Sequence, residues 1–201
     1  MDVLFNSVFA QVGMGAGLAT LSGLRAFLPL ALVGLFARYQ WLSAPDLHGT
    51  GFAFLENPWL IGVFLVLGLV EIVADKVPVV GTAQDLVATP LRIAAGAVLF
   101  GAALVQNGTL VTVVGMVAGG AIAGASHGAK SVVKPGATAA TAGTANPFIS
   151  LFEDIAAALG TVLVMLLPVV GIVLLLFLLF LIYRILHRRR SKYKGLRILK
   201  D

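Results

Sequence analysis

Six apolar stretches follow one another along this chain, and each is about as long as a lipid bilayer is thick. A helix needs about 20 largely apolar residues to cross the hydrocarbon core of a bilayer. The predicted spans cover about 8–36, 59–77, 83–105, 110–130, 148–167 and 169–186. Pro168 separates the last two stretches, and a single kinked helix over both of them is the alternative interpretation.

The composition gives a soluble fold little support. Charged residues make up 11% of the 201 residues, whereas soluble domains are about 25% charged. Such a chain has too few polar side chains to cover a water-facing surface. We therefore predict an all-α polytopic transmembrane bundle of about six helices, which forms one domain over residues 1–187 and contacts the lipid bilayer. Cysteine is absent, which excludes disulfides and thiolate metal sites, and we expect no metal and no cofactor.

The net charge of +5 comes from the end of the chain. Lys and Arg dominate residues 184–201, while the rest is slightly acidic, so the charge does not indicate a nucleic-acid partner. Basic residues that flank spans stay cytoplasmic, which places the C-terminus, and with six spans also the N-terminus, in the cytoplasm. We expect the cytoplasmic (inner) membrane of a bacterium. The basic cytoplasmic tail, 188–201, either binds anionic lipid headgroups or only anchors the topology.

The two halves of the sequence share three motifs in the same order. Each half has a stripe of small residues followed by a cation, then an Asn-Pro pair, then the tetrapeptide PVVG. The matching positions are Gly15, Ala19, Gly23 and Arg25 with Gly120, Gly124, Gly128 and Lys130, then Asn57-Pro58 with Asn146-Pro147, then 78–81 with 168–171. We interpret the halves as two inverted three-helix repeats over about 8–106 and 109–187. Chance similarity in a chain rich in Ala, Gly, Val and Leu is the alternative.

Both features of the repeat have a physical meaning. Inverted repeats are common in secondary transporters, whose binding sites lie near the bilayer midplane at the interface between the repeats. Small residues at every fourth position let helix backbones approach closely in lipid. We therefore expect the glycine stripes to pack helices together, and glycine-rich faces are also compatible with a homodimer.

Ionisable residues interrupt the apolar spans. A charge at the bilayer centre costs at least about 2.5 kcal/mol, so such residues pair with one another or face water. The candidate solute- or ion-binding residues are Arg25, Glu71, Asp75, Lys76, Asp85, Arg92, His127, Lys130, Glu153 and Asp154. The predicted topology gathers most of them in the cytoplasmic half of the bilayer. We expect a polar cavity that opens to the cytoplasm and has Arg25 and Arg92 at its floor.

Three functions could explain ionisable residues within the apolar spans. The leading hypothesis is a small transporter or channel-like protein, in which the two arginines hold a polar or anionic solute and the carboxylates bind a coupling proton or cation. The second is a non-transporting scaffold or partner-binding protein, whose buried charges are structural salt bridges. The third is a membrane enzyme or metal site around His127. It is the weakest, because this is the one histidine within a span and the sequence has no HExxH or GxSxG motif.

Several of these segments together resemble a known family. They are GLRAFLPL at 23–30, EIVADKVPVVGTAQD at 71–85, TPLR at 89–92, GASHGAKS at 124–131 and NPFISLFED at 146–154. In this combination the chain resembles the DUF4126 family of integral membrane proteins. The resemblance implies a membrane fold and adds Asn146 and Pro147 to the signature positions. It supplies no substrate, because the family carries no assigned activity.

Overall fold

A computed structural model of the chain describes residues 7–75, 78–141 and 146–198, with side chains described outside 78–87, 134–140, 146 and 189–198. Every regular element in these ranges is helical, as predicted. The helices are α1 (Val8–Ser22), α2 (Phe27–Tyr39), α3 (Pro58–Ala74), α4 (Pro78–Leu104), α5 (Thr109–Ala140), α6 (Asn146–Leu166) and α7 (Pro168–Ile198), with short 3₁₀ helices at Ala53–Glu56 and Val105–Asn107.

Four of the described helices are long and apolar enough to cross a bilayer. Their spanning parts are Ala88–Asn107, Thr109–Val133, Pro147–Leu166 and Pro168–Arg188. The last two are separate helices, and both contact α1, since a Cβ at Gly17 would lie 2.5 Å from Gly171 Cα and 2.8 Å from Val164 Cγ2. Helices α1, α2 and α3 are apolar but shorter, with 15, 13 and 17 residues.

The first predicted span differs from the structure, because it is two short helices rather than one long helix. The break falls between Ser22 and Phe27, just before Pro29. In a continuous helix the amide of residue 29 would donate to the carbonyl of Arg25, and proline has no amide hydrogen. Within the first turn of α2 that missing donor costs nothing. Pro90, by contrast, remains inside α4.

Helix α1 lies at the centre of the bundle, where α4, α5, α6 and α7 pack against it. All of its residues from Gly13 to Ser22 are buried. Glycine permits these close approaches: a Cβ at Gly23 would lie 2.5 Å from the carbonyl oxygen of Ala123, and a Cβ at Gly171 would overlap the carbonyl oxygen of Gly13. The stripe of the second half, which ends at Gly128, packs less tightly: no described atom lies within 4 Å of a Cβ placed at Gly128.

The outer faces of the bundle are apolar. On α3, Val66, Leu69 and Val70 are each more than half exposed, and on α7 the same holds for Phe177 and Phe180. In water such faces would be a large unpartnered hydrophobic surface. We therefore assign them to lipid contact, and the fold is that of a helical membrane protein.

Candidate functional site

The break between α1 and α2 places a fully buried arginine in the middle of the bundle. Arg25 is 0% exposed. One of its terminal nitrogens, Nη2, donates to Asp75 Oδ2 at 2.9 Å and to Ser150 Oγ at 3.0 Å. Its Nε lies 2.7 Å from Asp154 Oδ1. Arg25 therefore joins the C-terminal end of α3 to the first turns of α6.

The carboxylate of Glu71, from α3, binds the N-terminal end of α2, which is the second half of the broken helix. It accepts hydrogen bonds from the amides of Ala26, at 3.0 and 3.3 Å, and of Phe27, at 3.5 Å. In a continuous helix these amides would donate to carbonyls of the preceding turn. The N-terminal end of a helix carries a partial positive charge, which a carboxylate stabilises. The charge of Glu71 is thus held by the backbone as well as by side chains.

Arg92 of α4 is the second arginine of the cluster, and it is also 0% exposed. Its Nη2 and Nε donate to Glu71 Oε1 at 3.0 and 3.3 Å, and its Nη1 contacts His127 Nδ1. A guanidinium can only donate, so Nδ1 of His127 must accept and its proton is assigned to Nε2, which lies 3.0 Å from Thr89 Oγ1. His127 is therefore assigned as a neutral imidazole in this cluster.

Lys130 of α5 completes the set of cations. Its Nζ lies 2.7 Å from Glu153 Oε2 and 3.8 Å from Asp75 Oδ2. The closer pair differs from the Glu71 contacts, because neither Lys130 Nζ nor Glu153 Oε2 is aligned as a hydrogen bond with a partner among the described residues. The same holds for Arg25 Nε and Asp154 Oδ1. The attraction in the Lys130–Glu153 pair is thus Coulombic, without the directional restraint that fixes Glu71.

Ser150 is a residue of the cluster that the sequence did not single out. It is 1% exposed, accepts from Arg25 and donates to Asp75 Oδ2 at 3.2 Å. The available signal was its spacing, since residues three and four positions apart share one helix face, and Ser150 precedes Glu153 and Asp154 by those distances. Thr89 has the same relation to Arg92 on α4.

The candidate residues that have described side chains therefore meet in one buried ionic cluster, built by the break after α1 together with α3, α4, α5 and α6. Two predicted members cannot be placed: Lys76 lies outside the described residues, and so does the side chain of Asp85. The described part holds three cations, Arg25, Arg92 and Lys130. It also holds four carboxylates, namely Glu71, Asp75, Glu153 and Asp154.

An open cavity of about 620 Å³ lies beside the cluster, between α1, α5, α6 and α7. It opens toward the apolar outer face of the bundle, since its lining residues Phe152, Leu159 and Phe177 are each more than half exposed. Its lining is apolar apart from Thr20, Ser126, Lys130 and Glu153. Arg25 and Arg92 do not line it, so this cavity is not the polar one predicted with the two arginines at its floor; both arginines are instead buried against carboxylates. The point at which this cavity meets the ionic cluster is thus the Lys130–Glu153 pair.

These features define a class of protein: an all-helical membrane protein with a broken helix and a buried ionic cluster. The model of a family described as a domain of unknown function, DUF4126, matches residues 12–188. The chain belongs to this family. Neither a search of curated proteins nor a search of solved structures finds a match.

Proposed function

We propose that the protein is a small membrane transporter or channel-like protein, in which a solute meets the ionic cluster at the Lys130–Glu153 pair. The observation that carries the proposal is the position of this pair, which belongs both to the cavity lining and to the cluster. Ionisable groups inside a membrane protein commonly mark solute, ion or proton pathways. Like the contact between Arg25 Nε and Asp154 Oδ1, the pair lacks an aligned hydrogen bond among the described residues. Of these two contacts, only the Lys130–Glu153 pair lines the cavity, so a solute in the cavity can compete for its partners there.

The charge balance favours a proton or a small cation as the coupled species. Four carboxylates face three cations among the described side chains. Lys76 and Asp85 would add one charge of each sign and leave this balance unchanged. The amides at the start of α2 already compensate part of the Glu71 charge, and a proton or a cation beside the cluster would neutralise the remaining excess. Because both arginines already hydrogen-bond to carboxylates, the geometry gives less support to an anion held by Arg25 and Arg92.

The proposed architecture is a pair of inverted repeats that the cluster joins. Asn57 caps α3, whose first residue is Pro58, and the matching Asn146-Pro147 starts α6. The second shared motif, PVVG, starts both α4 and α7. Arg25 of the first half contacts Asp154 of the second, and Lys130 of the second contacts Asp75 of the first. Broken helices and sites between repeats are typical of secondary transporters. With the basic tail in the cytoplasm, the cluster faces that side.

A screen by thermal unfolding tests the proposal. The purified protein is mixed with small amines, zwitterions and organic anions, in parallel for wild type, Glu153→Gln and Ser131→Ala. We expect stabilising solutes to lose their effect in Glu153→Gln. They should keep it in Ser131→Ala, because among the described residues the hydroxyl of Ser131 donates to the His127 carbonyl within α5 and makes no other hydrogen bond. Equal stabilisation of wild type and Glu153→Gln by every active solute would contradict binding at this pair.

The second candidate function is a scaffold whose buried charges hold the bundle together. It is favoured by the complete burial and the hydrogen bonding of Arg25 and Arg92. A scaffold predicts that cluster variants lower the unfolding temperature while no solute shifts that temperature in any of the three proteins. The same screen therefore separates the two functions.

A further inference from the structure

The loop between α2 and α3 holds a second group of polar side chains, away from the ionic cluster. One donor atom from each of Asp46, His48 and Glu56 lies within 4.8 Å of the other two. His48 Nδ1 is 3.2 Å from Asp46 Oδ1 and 3.3 Å from Glu56 Oε1. The proposed transport function uses none of these residues.

Glu56 is the unusual member of this group. The side chain is 10% exposed, and Oε1 is buried without a hydrogen-bond partner among the described residues. A buried carboxylate oxygen in this state is unfavourable unless a partner compensates it. Oε1 points toward the imidazole of His48, so the missing partner belongs between these side chains.

The backbone that carries the three side chains is firmly held. Leu47 and Leu55, next to His48 and Glu56 in the sequence, are both 0% exposed in the hydrophobic core. The side-chain amide of Gln106 donates to the Asp46 carbonyl at 2.8 Å. Arg38 Nη1 donates to the Glu56 carbonyl at 3.0 Å, so that nitrogen is directed at the backbone. A site whose supporting shell is fixed in this way loses little entropy when a ligand binds.

The donor atoms match a divalent transition metal. Zn²⁺ takes imidazole nitrogen and carboxylate oxygen at about 2.0–2.1 Å, whereas Mg²⁺ and Ca²⁺ favour oxygen alone. Two donors at that distance from one ion, and 3.2–3.3 Å from each other, subtend an angle of about 100–110° at the metal, close to tetrahedral. The Asp46 and Glu56 oxygens lie within 4.8 Å of each other, and to bind the same ion they have to lie within about 4.2 Å. The two carboxylates would neutralise the charge of the ion, and solvent would complete its coordination.

We infer that Asp46, His48 and Glu56 form a binding site for a divalent transition metal ion, with Zn²⁺ as the best-fitting ion. Asp46 and His48 have side chains that are 64% and 65% exposed, so an ion can enter from water. Tyr39 ends α2 and Trp41 lies at the start of this loop; both are about half exposed, and their rings are stacked. Such aromatic residues mark the membrane–water interface, which places the site at the membrane surface.

The test is equilibrium dialysis of the full chain, purified without a histidine tag, against Zn²⁺ alone. We expect one Zn²⁺ per chain in the wild type, and at least about tenfold weaker binding in His48→Gln and in Glu56→Gln, since even outer-shell changes cost that much. His187→Gln is the matched control, because His187 is an exposed histidine on α7 and its removal should leave the affinity unchanged. Substitution by Co²⁺ should give visible absorption bands that the two site variants lose.

Circular dichroism and size-exclusion chromatography establish that each variant is folded. If Glu56→Gln does not fold, Asp46→Asn tests the metal site instead. Asparagine can still accept the hydrogen bond that Asp46 Oδ1 takes from the His48 amide, but it binds metal far less well than aspartate. Absence of saturable Zn²⁺ binding in the wild type would overturn the inference. Equal binding in wild type and folded site variants would also overturn it, as would an equal loss in His187→Gln.

Discussion

Replacing Glu71 by glutamine removes one charge while it keeps the size of the side chain. The carboxylate accepts from two backbone amides at the start of α2 and from two nitrogens of Arg92. A glutamine side chain has one acceptor oxygen and one NH₂ group. Its oxygen can accept either from the amides of Ala26 and Phe27 or from the guanidinium of Arg92. Its NH₂ group then faces the remaining donors, with which it cannot form hydrogen bonds.

The expected loss of stability follows from burial. Glu71 is 4% exposed and Arg92 is 0% exposed, so water cannot replace the lost contacts. Removing one partner of a buried ion pair costs about 3–5 kcal/mol. We therefore expect Glu71→Gln to lower the free energy of unfolding by that amount, which is a large part of the total stability of an ordinary domain.

The assay is reversible unfolding in mixed micelles with sodium dodecyl sulfate, followed by circular dichroism, on Glu71→Gln, Arg92→Met and the double variant. Because each single change leaves a mismatched buried partner, the double variant should cost less than the sum of the two single changes. A loss below about 1 kcal/mol for Glu71→Gln would refute the reasoning, since that is the range of an exposed ion pair. Strict additivity would refute the direct contact between Glu71 and Arg92.

Two further predictions concern packing and hydrogen bonding, and the same unfolding assay checks both. Gly171→Ala should destabilise by about 1–3 kcal/mol through overpacking against the Gly13 carbonyl. Gly128→Ala should instead gain up to about 1 kcal/mol, because its new methyl group meets no atom of the described residues within 4 Å. Equal effects of the two changes would contradict the close approach of α1 and α7. Ser150→Ala should cost about 1–3 kcal/mol through the contacts with Arg25 and Asp75, and a cost below about 0.5 kcal/mol would argue against those contacts.

Hydrophobicity alone predicted the helical membrane class. A long apolar span lies in lipid, where its backbone groups must hydrogen-bond to one another, and a helix achieves this within one span. Pro168, which cannot continue the hydrogen-bonding pattern of the preceding helix, predicted where α6 and α7 separate, with one kinked helix as the alternative; the structure has two helices. The first span was harder. Hydropathy runs almost unbroken from residue 8 to residue 36, and the helix nevertheless breaks at Arg25, because a carboxylate from α3 takes the two amides that follow.

The ionisable members of the cluster could be chosen from the sequence, but Ser150 and the pairing of the charges could not. Charge inside an apolar span singled out Arg25, Arg92 and Lys130, since such charges require partners. Which carboxylate lies against which cation depends on helix rotation and on the break after α1, and hydropathy fixes neither. The sequence did not predict that Glu56 Oε1 is buried without a hydrogen-bond partner among the described residues. Glu56 lies in a polar loop, where a carboxylate is usually exposed.

The charge balance of the cluster can be measured directly by infrared spectroscopy on the protein in liposomes, in choline buffer and in sodium buffer. We predict a C=O stretching band of a protonated carboxyl group in choline buffer. If a proton is the neutralising species, the band persists in sodium buffer. If Na⁺ replaces the proton, the band disappears in sodium buffer. In Glu153→Gln three carboxylates face three cations among the described side chains, so the band should be lost. Absence of the band from the wild type in both buffers, or the same band in Glu153→Gln, would contradict an exchangeable proton or cation in the cluster.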